Sequence, residues 1–230
     1  MTPAARAALY IVLVAAAGPT GFLLYRAVFA GRLPPPAASQ PAPQSSAASA
    51  AAQSTASQPS GPDQLPALTL QDAGGTAHAF SEWRGRPLIV NFWATWCEPC
   101  RREIPLLKSL RTRTASAPVQ VVGIAVDFKD PVVKYVTDHG IDYPVMVGED
   151  QGFKAIKALG MDTVLPFSVF ADGKGRIVTV KVGELHPDEA DLILARVADV
   201  ESGRMTLALA REQISAGLKE LAVARAKGSG

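Results

Sequence analysis

Residues Pro87 to Trp93 (PLIVNFW) form a nearly continuous apolar run, followed closely by Trp96-Cys97-Glu98-Pro99-Cys100. The run predicts a strand covered on both faces, which requires a sheet between two packed layers. A helix is expected from about Glu98 to about Arg113. Residues three apart in a first helical turn share a face and come close enough to form a disulfide. Cys97 would stand at the helix N-terminus, where the macrodipole and free N–H groups favour a thiolate. That makes it the attacking sulfur and leaves Cys100, shielded one turn in, to resolve a mixed disulfide. Pro99 costs nothing there, because the first helical N–H groups lack partners anyway. Glu98 opposes the thiolate, whereas Arg101 and Arg102 favour it. Two other readings are a zinc half-site and an inert structural disulfide. The chain has only two cysteines and three scattered histidines, His78, His139 and His186, so the further ligands that zinc requires are missing. The strand before the pair, the Trp beside it and the helix after it favour redox chemistry over both.

The rest of the chain builds around this unit. Ala67 to Leu70 and Thr76 to Phe80 flank Asp72-Ala73-Gly74-Gly75, the signature of a short hairpin. Val119 to Val126 is a second buried strand. Asp130-Pro131 reads as an N-cap and first helical residue, opening a helix to His139. Pro144 to Val147 is strand-like. Asp150 is expected to cap a helix with Phe153, Ile156 and Leu159 on one face, ended by Gly160. Pro166 to Ala171 and Arg176 to Val182 flank the turn Asp172-Gly173-Lys174-Gly175, and a helix follows from Pro187 to about Val200. The alternation gives an α/β fold, a mixed central sheet flanked by helices. After Gly203, Leu207, Ile214, Leu218 and Leu221 recur at helical spacing. They predict a last helix, packed on its own domain or offered to a partner.

The amino-terminal region is different in kind. Residues 7 to 25 carry no charge between Arg6 and Arg26. As a helix they rise about 28 Å, near the thickness of a bilayer's hydrocarbon core. We read residues 1–32 as a membrane anchor spanning about 7–25. The rival readings are a cleaved signal peptide ending near Val28-Phe29-Ala30 and a buried helix of a soluble core, for which nothing next to it in the sequence offers cover; anchor and signal both send the downstream chain across a membrane. Residues 33–62 are almost entirely Ala, Ser, Pro and Gln, too polar to offset their ordering entropy, and so a disordered linker. From Asp63 onward 20 basic residues face 21 acidic ones, which leaves no electrostatic footprint for nucleic acid. The expected layout is a domain over 63–202 with a helical extension over 203–230.

The segment VNFWATWCEPCRREIP, with Leu165-Pro166, a following strand and the DGKG turn, resembles the thioredoxin superfamily. Within it the chain is most similar to the membrane-anchored TlpA/ResA-like thiol–disulfide oxidoreductases, over roughly Asp63 to Val200. The resemblance implies a thioredoxin fold with an N-terminal hairpin and a strand–helix insert at about 128 to 160. It implies Cys97 as nucleophile and Cys100 as resolving thiol. Pro166 matches the family's cis-proline, which frees the backbone at Leu165 to pair with an extended substrate. Substrate contacts are then expected at Trp96, Glu98, Pro99, Leu165 and Pro166, and Pro105 matches a helix-kinking proline.

Two positions depart from thioredoxin itself. Asn91 replaces a buried, proton-accepting Asp, but Glu103, three residues past Cys100, occupies a position where TlpA/ResA-like members carry Glu. Buried, it would exchange a proton with Cys100; exposed, it is an ordinary helix Glu. Phe167 replaces the usual Thr or Ser after the cis-proline and is expected to add apolar surface near the substrate. Trp93 is expected in the core and Trp96 over the active site. The function implied is a periplasmic, inner-membrane-tethered disulfide reductase without metal or organic cofactor. Its partners would be substrate proteins with disulfides or thiols and a membrane electron donor, in cytochrome c or copper-site maturation. The alternatives are the same enzyme acting as an oxidant, and an assembly module in which the redox pair is incidental.

Overall fold

The computed structural model describes residues 62–113 and 119–228. The expected span at 7–25 lies outside them, as does the linker at 33–62 except for Pro62. Among the described residues, no helix is long and apolar enough to cross a membrane.

The chain enters as a hairpin, β1 (Thr69–Gln71) and β2 (Ala77–Ala79), paired antiparallel. Asp72 closes its turn by accepting from the N–H groups of Gly74 and Thr76. A single 3₁₀ turn, Phe80–Trp83, then takes Phe80 out of the expected second strand and buries it. Next come β3 (Leu88–Trp93), α1 (Glu98–Arg113), β4 (Gln120–Ala125), α2 (Lys129–Asp138), β5 (Val145–Val147) and α3 (Glu149–Ala158). The chain closes with β6 (Phe167–Ala171), β7 (Ile177–Val182), α4 (Pro187–Glu201) and α5 (Leu207–Gly228).

Five strands form one sheet in the order β5-β4-β3-β6-β7. β3, β4 and β5 run parallel, β6 pairs antiparallel with β3, and β7 pairs antiparallel with β6. Every residue of β3 is buried, as its nearly continuous apolar run, interrupted only by Asn91, demands, and its alternating side chains feed two separate cores. Ile89 and Trp93 face a core shared with α1, α2, α4 and α5. Leu88, Val90 and Phe92 face one shared with α3 and the N-terminal hairpin. The first core leaves little room beside β4: a Cβ on Gly123 would come 3.0 Å from Trp93 Nε1 and 3.2 Å from the Tyr143 ring. α5 buries Ala210 and Ile214 against it, and Arg211 donates to the Ile177 carbonyl and the Asp63 carboxylate. This is the thioredoxin-like α/β arrangement that the motif order implies.

Three local expectations are corrected. α2 begins at Lys129 with Phe128 as N-cap, so Asp130 lies inside the first turn. The carboxylate just before it, Asp127, accepts from Thr95 and from the Phe128 N–H and caps no later N–H of the helix. Likewise Gly148, at φ 142°, precedes α3, leaving Asp150 within the helix. Phe153 points to solvent, because the buried face of α3 is Gly152, Ala155 and Ile156. Gly152 has no alternative there, since a Cβ would sit 2.7 Å from a Val126 methyl.

Candidate active site

Parallel β3 and β4 end side by side, and the Val126 N–H donates to the Trp93 carbonyl to hold those ends together. Beyond Trp93 the chain bends through Ala94 and Thr95. The Asp127 carboxylate fixes that bend, accepting from the Thr95 N–H at 2.9 Å and the Thr95 hydroxyl at 2.5 Å. Asp127 was not anticipated, because nothing in the sequence links two residues so far apart. The tie sets where α1 begins. The Cys97 carbonyl accepts the first helical bond, from Arg101, so Cys97 occupies the N-cap position. Cys97 and Cys100 are joined as a disulfide. The Cys100 N–H donates to Cys97 Sγ at 3.4 Å, the bond an N-cap side chain ordinarily accepts. A thiolate on Cys97 would find that donor already aimed at it. Cys97 is slightly exposed and Cys100 wholly buried.

The charges near the pair are more balanced than the sequence suggests. Arg102 pairs with Glu98 at 3.1 Å and with Glu184 at 2.6 Å. Its positive charge is therefore shared between two carboxylates rather than aimed at the sulfur.

Glu103 is 1% exposed. Its Oε1 accepts from Asn91 Nδ2 at 2.7 Å and its Oε2 from the Leu185 N–H at 2.6 Å. Asn91 also donates to the Ser168 hydroxyl at 3.0 Å, which spans β3 and β6. Burial pushes the Glu103 carboxyl up to about 7, against the pull of the Leu185 and Asn91 donors; the nearby Glu184 charge adds to the rise and Lys181 opposes it. Both partners are neutral, so they steady the ionised form without enforcing it. Asn91 thus replaces a titratable group with a donor that orients one. The Leu185 and Glu184 contacts cross more than eighty residues, and no local pattern signals them.

The loop after β7 joins this cluster to the opposite flank. Gly183, at φ 81°, donates its N–H to the Pro166 carbonyl at 2.8 Å, two residues before Leu185 meets Glu103. Leu165-Pro166 is cis; Pro166 is buried and Leu165 half-buried. Phe167 departs from expectation. It is fully buried, stacked on Phe92 with ring centroids 4.3 Å apart, on the sheet face away from Glu103. It gives the substrate side no surface, and the stack adds about 1 kcal/mol beyond area burial. Trp93 is buried, whereas Trp96 is 69% exposed beside Cys97. Of the other expected contact residues, Glu98 is exposed and Pro99 half-buried.

The arrangement supports dithiol–disulfide chemistry: a sulfur at a helix N-terminus, a shielded partner, and a carboxyl able to change protonation near neutrality. The comparisons agree. The Redoxin family profile matches residues 61–194. The chain is 28% identical over 135 residues to the thiol-disulfide oxidoreductases ResA of Bacillus thuringiensis (strain Al Hakam) and Bacillus anthracis, covering 58% of this chain and 76% of each relative. A secreted thiol-disulfide isomerase from Corynebacterium glutamicum superposes with a TM-score of 0.51 at 29% identity, covering 55% of this chain and 80% of that one. The chain belongs to the redoxin family, as a thioredoxin-fold thiol–disulfide oxidoreductase of the TlpA/ResA-like kind.

Proposed function

We propose that this enzyme is tethered to the bacterial inner membrane, faces the periplasm and reduces disulfides in other proteins. The uncharged span at 7–25 and the linker at 33–62 support the tether. The Cys97 thiolate attacks one sulfur of a substrate cystine. A mixed disulfide forms, and the other substrate sulfur leaves and takes up a proton. Cys100 then gives its proton to the Glu103 carboxylate and attacks Cys97 Sγ. The second substrate sulfur leaves and is protonated. The substrate ends as two thiols and the Cys97–Cys100 pair as a disulfide, two electrons having passed from enzyme to substrate. A membrane electron donor restores the dithiol. Following the family resemblance, the substrates are haem-binding cysteines of apocytochrome c or copper-site cysteines.

The observation that carries the exchange step is Glu103, a buried carboxyl one turn along α1 from Cys100 that accepts from Asn91 and from the Leu185 N–H. Equilibration against glutathione buffers tests the direction. A reductase is expected nearer to about −270 mV, the thioredoxin range. A value near about −120 mV, that of a strong oxidant, reverses the direction.

A further inference from the structure

α5 lies beyond the residues that match the redoxin family, and no step of the exchange chemistry involves it. It is nevertheless tied to the domain along its length. At the foot of the sheet Arg211 donates to the Ile177 carbonyl and pairs with Asp63. Gln213 accepts from Arg196 at 2.8 Å. A Cβ added at Gly217 would meet a Leu192 methyl at 2.6 Å, so close does α5 run to α4. Near its end Arg225 pairs with Asp188 at 3.1 Å and Glu189 at 3.2 Å, both in the first turn of α4.

Glu189 is 2% exposed, and its two oxygens have different partners. Oε1 accepts from Arg225. Oε2 accepts from the His186 N–H at 3.0 Å and stands 3.2 Å from His186 Nδ1 and 3.4 Å from the Lys181 ammonium. Lys181 also donates to the Val182 carbonyl at 2.9 Å and to the Glu184 carbonyl at 3.0 Å. The Glu184 carbonyl and the Leu185 N–H belong to one planar peptide unit and point in opposite directions. Lys181 holds the carbonyl end, and the N–H end donates to Glu103 at 2.6 Å. A cation on the carbonyl polarises the unit and strengthens its N–H as a donor. An unbroken series of contacts therefore runs from Arg225 through Glu189, Lys181 and this peptide to the Glu103 carboxylate.

We propose that Arg225 is a positioning residue for proton exchange at Glu103: from α5 it shares the Glu189 charge, which leaves Lys181 on the Glu184 carbonyl and the Leu185 N–H aimed at the Glu103 carboxylate. The inference rests on the exchange reading above, in which Glu103 takes the Cys100 proton. Without Arg225, the buried Glu189 charge draws Lys181 off the Glu184 carbonyl. The Leu185 peptide is then free to turn, and its N–H weakens as a donor. A carboxylate that loses a donor is protonated more readily, so Glu103 releases its proton only at higher pH. The other ionisable groups around Glu103 are Glu184 and Lys181 from the far side of β7 and Tyr143 from the approach to β5, with Arg102 of α1 reaching Glu184. Around Glu189 stand Lys181, His186 and Arg225, with Asp188 sharing Arg225.

The test uses the full-length protein, reduced, desalted and mixed with an excess of an aromatic disulfide reagent that releases a coloured thiolate. The first release reports attack by Cys97, and the second reports closure by Cys100. Closure is followed from about pH 5 to about pH 9. In the wild type its rate should rise through a step centred near about 7, where Glu103 titrates, and Glu103→Gln should remove that step. Arg225→Ala should move the step up by about half a unit, and Arg225→Lys, which keeps the charge, should restore most of the wild-type midpoint. Should Arg225→Ala fail to fold, Arg225→Gln carries the same expectation. Arg211→Ala loosens the same helix at the foot and should lower the melting temperature without moving the step. An unmoved step in Arg225→Ala, or an equal shift in Arg211→Ala, overturns the inference alone. A wild type without the step, or a Glu103→Gln variant that keeps it, overturns both the inference and the exchange reading beneath it.

Discussion

Two buried carboxylates stand at opposite ends of the central strand. Asp172, where β6 leaves the sheet at the foot of β3, is 2% exposed. It accepts from the backbone N–H groups of Lys174 and Arg176 and pairs with the Arg176 guanidinium at 2.6 Å. Glu103, at the head of β3, is as deeply buried, but its direct partners are an amide side chain and a backbone N–H. Among the described residues, no ion pair reaches it. The same chemical group thus does two jobs. With a guanidinium and the backbone of its own turn, a carboxylate fastens a hairpin. With neutral donors only, it becomes a site where a proton can come and go. The two ends differ also in what they show outside: a polar DGKG turn at the foot, Trp96, Phe128 and Val164 at the head. Polar groups buried and apolar groups exposed on one end of a sheet mark where stability has been exchanged for chemistry.

The largest effect that sharpens this contrast is a pH dependence of stability. Burial lifts Glu103 from the usual 4.5 to about 7, so the folded chain binds that proton more tightly than the unfolded chain. Its contribution to stability is full below about pH 4.5 and is lost as the pH rises through about 7. At about 1.4 kcal/mol per unit, the loss is about 3 kcal/mol. Denaturant unfolding of the oxidised protein across that window should show the fall, and Glu103→Gln should remove it. The same variant should slow the step in which Cys100 resolves a mixed disulfide by about a hundredfold at neutral pH, measured by single-turnover quenching. A slope that survives the substitution would belong to another titrating group, and a wild type without the fall would mean that the Glu103 carboxyl stays ionised throughout the window. The smaller effect belongs to the other end. Asp172→Ala should lower stability by about 2 kcal/mol through lost hydrogen bonds. It should leave the pH slope and the exchange rate as they were, since it touches no residue near the sulfurs.

The parts legible in the sequence are those whose cause is local. The run LIVNFW is buried on both faces because helices cover both sides of the sheet, and its near-continuous apolarity, broken only by Asn91, said so. The position of Cys97 at a helix start followed from the Pro99 and helix-forming residues beside it. Glu103 was found by its spacing from Cys100, but its burial was open, because that depends on Leu185 arriving from the far side of β7. Asp127 was invisible for the same reason, and its commitment to Thr95 explains why the helix start assigned to Asp130 was misplaced. With the Asp127 carboxylate holding the bend before Cys97, α2 begins at Lys129, behind an N-cap Phe128 that makes no side-chain cap. Phe153 misled because residues 153, 156 and 159 drift around a helix of 3.6 residues per turn, and the sheet meets the side bearing Gly152. Phe167, where the family resemblance puts Thr or Ser, was expected to add apolar surface at the substrate contacts. Strand alternation puts it against Phe92 instead.

The central claim is that Cys97 attacks and Cys100 releases. It is tested most directly by mixing reduced Cys100→Ser and Cys97→Ser variants with a disulfide-bearing protein and separating the products without reductant. Cys100→Ser should accumulate a covalent enzyme–substrate adduct that dithiothreitol dissolves, while Cys97→Ser, its remaining sulfur buried, forms none. Adducts from Cys97→Ser alone, or from neither variant, would contradict the account.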